Sequence, residues 1–255
     1  MKLKKIASLM LAGIMAVSML AGCNGETAPD PDDNGNGGVT VTGYSAVLGE
    51  ELKDHKAIKD KDYITFANNN EDQVALQAAV DSVETDALEI YASKRGAQSI
   101  GSGKKGQTDI SGDTGARVEE IFVKGAKITD PSEDLKPGDL AMAWYAGYNN
   151  GDGNGYTGDL NTSVVKDGAI YVVNGGVTTN EAVKMVAAKV DKILDHENAL
   201  PEYNLKAENE SGSSWKYSYV ISVSVVDKAQ HSNYTEAANS AHFIAVTVTR
   251  TATNA

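Results

Sequence analysis

The residues with most chemistry to offer crowd into one stretch, WYAGYNNGDGNGYTGDLN, at positions 144–161. Trp144, Tyr145, Tyr148 and Tyr156 bring flat apolar rings with a polar atom at the tip, and Asn and Asp side chains stand beside them. Such surfaces suit a sugar or another protein, so these four aromatic residues are the candidate ligand-binding set. Elsewhere the reactive types are scattered. His55, His196, His231 and His242 form no close pair, which leaves a zinc site without local support. The segment GSGKKGQT, 101–108, has the flavour of a phosphate loop but fails its pattern. Gly103-Lys104 is followed by a second lysine, and position 98 is glutamine where glycine is required, so a flexible basic loop is expected. The only thiol is Cys23, in MLAGCNGE, and one cysteine cannot close a disulfide within the chain.

Three segments resemble known patterns. Ahead of Cys23 come Lys2, Lys4 and Lys5, an apolar run at 6–20, and then Leu20-Ala21-Gly22. The run is shorter than the roughly 20 residues of a comfortable membrane span and fits a signal-peptide core. These residues together resemble the lipobox of bacterial lipoproteins, in which the thiol receives a diacylglycerol and the peptide is cut just before it. The resemblance covers residues 1–23. It implies a signal peptide over 1–22, a lipid-attached Cys23 carrying palmitate-like chains, and an extracytoplasmic protein anchored to the bacterial lipid bilayer. Two or three chains at about 0.8 kcal/mol per buried methylene anchor stably, where a single chain does not.

Within 144–161, Asn150, Asp152 and Asn154 fall at positions one, three and five of a twelve-residue frame, with Gly155 at six and Asn161 at twelve. That spacing resembles the calcium loop of EF-hands and dockerin-type modules, where alternate oxygen ligands wrap the ion and glycine permits the sharp turn. The resemblance implies calcium at Asn150, Asp152, Asn154 and Asn161. Thr157 at position eight and the lack of a glutamate at twelve depart from it, and a long glycine-rich hairpin loop is the competing reading. Finally, Ser102 with Lys105, Tyr148 with Asn150, and Lys166-Asp167-Gly168 follow an order that resembles serine transpeptidases and β-lactamases. Here the serine sits among glycines and the gaps are far too short for that fold.

Charge and composition bound the rest. The chain of 255 residues has a formal net charge of −12, which becomes −15 when residues 1–22, with three lysines and no acid, are removed. An acidic chain lacks the basic footprint that phosphate neutralisation requires, so no nucleic-acid partner is expected. Residues 24–38, NGETAPDPDDNGNGG, contain almost nothing to bury and read as a disordered tether, making 23–40 the lipidated cysteine and linker. Residues 41–255 then form a single globular domain.

The elements that must position these groups are legible in part. Leu76, Val80, Val83, Ala87 and Ile90 alternate at spacings of four and three, predicting a helix over about 71–94, capped by Asn70 with Gln73 reciprocal and stopped by Gly96. Val183, Val186, Val190 and Ile193 predict a second helix from 179 to about 198, with Thr178 and Glu181 as its capping box. Period-two alternation in WKYSYVISVSVVD, from Trp215, and HFIAVTVTR, from His242, predicts an antiparallel pair with one buried and one largely wet face. Shorter strands are expected at RVEEIFVKG from Arg117, LAMAWYAGY from Leu140 and GAIYVV from Gly168. The order strand, helix, strand, strand implies an α+β fold, an antiparallel or mixed sheet with two amphipathic helices packed on it. The functional expectation is a non-catalytic binding module for a cell-envelope component, glycan or protein. The alternative is an envelope hydrolase whose acid and base come from residues distant in sequence.

Overall fold

A computed structural model describes residues 43–83, 96–101, 113–128, 164–195, 199–203, 215–230 and 239–254, all within the unit Thr40–Ala255. Helix α1 (Tyr44–Leu52) follows Gly43, whose φ of 92° favours glycine; a Cβ there would also come 2.8 Å from the Asn68 amide. Leu48 and Leu52 bury one side of α1, an element whose short apolar stripe gave no signal in the sequence. Strand β1 (Ile64–Phe66) leads to helix α2 (Asn70–Asp81).

The cap of α2 is Asn69 rather than Asn70. Its backbone is extended and its side chain accepts from the N–H groups of Glu71 and Asp72. Nor is Gln73 the reciprocal cap. Its side-chain amide reaches across to strand β4 (Trp215–Gln230), donating to the Val225 carbonyl at 2.8 Å and accepting from the Val225 N–H at 3.1 Å. Helix α2 ends earlier than expected. Lys228 Nζ donates to the carbonyls of Val80 at 2.8 Å and Val83 at 2.7 Å, closing its last turn with a cation. Leu76, Val80 and Val83 are buried as their spacing requires, while Ala87 and Ile90 lie outside the described residues.

After β2 (Gln98–Ile100) comes α3 (Asp113–Gly125), and here the expected strand from Arg117 is a helix. Val118 and Phe122, four apart, are both buried against α2, so a period of 3.6 rather than two decides this segment. At Gly125 a Cβ would come 2.8 Å from that of Ala75, which marks how closely α2 and α3 approach. Strand β3 (Val164–Asn174) contains the expected run from Gly168 and starts four residues before it. Helix α4 (Thr179–Leu194) carries its capping box, with Thr178 N–H donating to Glu181 at 2.9 Å and Glu181 N–H donating to Thr178 Oγ1 at 3.3 Å. Strand β5 (Asn239–Asn254) pairs antiparallel with β4 along their full length, from Trp215 opposite Asn254 to Gln230 opposite Asn239.

The strand order is β1-β4-β5-β3-β2, with β1 parallel to β4 and all other pairs antiparallel. This mixed sheet with its helices is an α+β fold. Four helices, not two, are present among the described residues, and they cover both faces of the sheet. α1 and α4 pack over Tyr171, Tyr219, Val223, Ile244 and Val246. α2 and α3 pack over Ile170, Val172, Val226, Phe243 and Ala245. The wet face expected for β4 is therefore confined to Lys216, Ser218 and Val220, because α2 covers the same face from Ser222 onward. Each fully buried Val, Leu, Ile or Phe contributes about 1.5–3 kcal/mol relative to exposure, so closing the second face is a major part of stability.

Candidate functional site

On the face under α2, three strands and a helix bring four polar side chains to one buried point. Ser222 on β4 and Gly168 on β3 stand on either side of Thr247 on β5, and Lys166 lies two residues from Gly168 on the same face. Asp72, in the first turn of α2, points down onto them and is 1% exposed, against 7% for Lys166, 2% for Ser222 and 1% for Thr247. Gly168 is needed here, since a Cβ would lie 2.8 Å from Thr247 Cγ2 and 2.9 Å from the Val246 carbonyl.

Lys166 Nζ donates to Asp72 Oδ1, and Thr247 Oγ1 donates to Oδ2 at 2.6 Å. Ser222 Oγ lies 2.9 Å from Thr247 Oγ1 and 3.4 Å from Asp72 Oδ2. A hydroxyl has one proton, so Thr247, committed to Asp72, is the acceptor for Ser222, and the order runs Ser222 to Thr247 to Asp72. Such buried networks polarise along their length, and removing one charged partner leaves the other stranded at a cost of about 3–5 kcal/mol.

At the far end of the other face, His242 on β5 stands opposite Asp227 on β4. Its Nδ1 is 2.5 Å from Asp227 Oδ1 and its Nε2 is 2.9 Å from the Val177 carbonyl just ahead of α4. Both partners accept, whereas a neutral imidazole carries a single N–H, so the geometry calls for the imidazolium. The hydrogen bond to Asp227 raises the imidazole above its ordinary value, with burial opposing. With both nitrogens engaged, this histidine clasps two segments and has no lone pair left for catalysis.

A tyrosine cluster closes the opposite end of that face. Arg250 lies over the Tyr217 ring, 4.5 Å from its centroid, and Tyr217 meets Tyr219 edge-on at 6.5 Å. Tyr219 Oη donates to the Pro201 carbonyl at 2.8 Å and Tyr63 Oη to the Leu200 carbonyl at 3.3 Å. Burial pushes the Tyr219 hydroxyl far above the usual tyrosine range. These rings seal the segment 199–203 to the sheet.

Lys166 and Gly168, part of the order that resembles serine transpeptidases, are buried under α2, where Lys166 joins the polar network. His55 Nδ1 accepts from the Ala57 N–H at 3.1 Å and its Nε2 lies 3.4 Å from Asp195 Oδ1, far in sequence from His242. Among the described residues no group of three His, Cys, Asp or Glu is placed to hold a metal. Cys23, the ring set Trp144, Tyr145, Tyr148 and Tyr156, the oxygen set Asn150, Asp152, Asn154 and Asn161, and Ser102, Lys105, His196 and His231 lie outside the described residues.

Asp72, Ser222 and Thr247 were not legible as a site. The one local signal was a charged pair, Lys166-Asp167, inside an apolar strand run. No family model, curated protein or solved structure matches the chain.

Proposed function

We propose that the protein is an extracytoplasmic lipoprotein, held to the bilayer through Cys23, whose α+β domain is a non-catalytic binding module for a cell-envelope, glycan or protein partner. Its location rests on the lipobox-like segment ending at Cys23. The observation that carries the binding role is the way the polar groups are spent. Among the described residues, Asp72, Ser222, Thr247 and His242 are buried and engaged in bonds that join secondary-structure elements. The candidate ligand-binding residue types belong to the stretch 144–161. Its last residue, Asn161, is three positions before Val164, the first residue of β3. Val164 is 50% exposed, and its sheet face continues through Thr251 to Ser218, beside the exposed Val220. The ring types of 144–161, with Asn and Asp in the same stretch, suit a glycan or a protein.

Replacing Trp144 and Tyr148 together by Ala should abolish binding to a panel of wall glycans and envelope proteins while leaving the thermal midpoint unchanged. Retained binding by a folded double variant would overturn the site.

A further inference from the structure

The geometry points to an intramolecular amide between the Lys166 side-chain nitrogen and the Asp72 carboxyl carbon, a covalent staple from β3 to α2. Three observations carry it. The amine and the carboxyl are in direct contact, and both residues are more than nine-tenths buried. The contact joins residues 94 apart in sequence, so folding and not chain proximity brings them together. The opposite carboxyl oxygen, Oδ2, is held by Thr247 Oγ1 at 2.6 Å, with Ser222 Oγ behind it.

Each observation answers a requirement of amide condensation. An ammonium–carboxylate pair and its amine–carboxylic acid tautomer contain the same protons, so one proton transfer within the contact sets a free amine beside a carboxylic acid. The amine then attacks Cγ of Asp72. Negative charge develops on Oδ2, where the Thr247 hydroxyl already donates, as a positioned donor must in acyl transfer. The C–N bond forms and the C–Oδ1 bond breaks. Oδ1 leaves as water, taking the carboxylic acid proton and one proton from nitrogen, while Oδ2 becomes the amide oxygen. No oxidant, metal or cofactor enters the balance. Well-oriented intramolecular reactions reach effective molarities of about 10⁵–10⁸ M, and burial limits the reverse hydrolysis. A chain whose single cysteine precludes an internal disulfide would gain from another kind of cross-link.

The test is tryptic mapping of the denatured full-length protein by mass spectrometry. The expected result is a branched peptide containing Asp72 and Lys166, lighter by one water than its two arms, with no cleavage after Lys166. It should vanish in Lys166→Arg and in Asp72→Ala. Linear peptides only, with the wild-type chain cut after Lys166 and an unmodified Asp72 peptide, would overturn the proposal. The deciding measurement is on the wild-type chain, so it does not depend on whether either variant folds.

Discussion

His242 and Asp227 face each other across β5 and β4 with 2.5 Å between Nδ1 and Oδ1, and the second ring nitrogen of His242 reaches the Val177 carbonyl. The pair and its third partner tie the Asp227 end of the β4–β5 pair to the entry of α4. Because the folded imidazole titrates above its ordinary value, the stabilisation is fully present below about 6.5, the unfolded value, and is lost as pH rises through the folded one. The thermal midpoint should therefore fall across that window. In Asp227→Asn, where the leading cause of the shift is gone, the fall should be much smaller. An identical pH profile in the two proteins would show that the clasp does not govern it.

Thr247→Val keeps the shape of the side chain but removes the donor to Asp72 Oδ2. Removing the donor from a buried acceptor oxygen costs about 1–3 kcal/mol, and equilibrium denaturation should show that loss. Thr253→Val, at an exposed position on the same strand, should change stability by less than about 0.5 kcal/mol.

Asn69 and Asn70 are adjacent and chemically identical, yet only the first caps α2. Asn69→Ala should cost about 1 kcal/mol through loss of the cap. Asn70→Ala, a substitution within the first helical turn, should be near neutral because alanine has the higher helix propensity. Denaturant melts of the two variants separate these outcomes, and a reversed order would place the cap at Asn70.

Cys23→Ala should abolish incorporation of labelled palmitate and release the protein from the membrane fraction. Persistent labelling would remove the lipid-anchor reading.

Calcium, if held by Asn150, Asp152, Asn154 and Asn161, should raise the thermal midpoint. At about a hundred times the dissociation constant the gain is roughly 2.7 kcal/mol. The rise should disappear with chelator and in Asp152→Ala. A midpoint indifferent to calcium would eliminate the metal site.

What could be read from the chain divides by the range of the interaction. The β4–β5 pair and α4 declare themselves because strand alternation from Trp215 and the Thr178–Glu181 capping box are local signals. RVEEIFVKG misleads because its valines and aromatic also satisfy a short strand, and only packing on α2 selects the helical period. The burial of Ser222, Ser224 and Thr247 runs against their types, and follows from a helix folded over a face that alternation alone marks as wet. The Asp72–Lys166 contact is the extreme case, since nothing near either residue specifies a partner 94 positions away.

The outer edge of β4 has a consequence for how copies of the protein meet. Past the three-residue β1, Val223 N–H donates to Ser45 Oγ at 2.9 Å, and Gln73 occupies both backbone groups of Val225. On the other side of β1, Tyr217 N–H is taken by the Glu202 carbonyl at 2.7 Å and Tyr219 N–H by that of Tyr63 at 2.8 Å. A sixteen-residue strand flanked by so short a neighbour would ordinarily offer a template for a foreign strand. Here two helix side chains and two backbone carbonyls imitate the missing strand, so a second molecule arriving at Tyr217, Tyr219, Val223 or Val225 finds each donor taken. Strand addition by another copy is thereby blocked at these four residues.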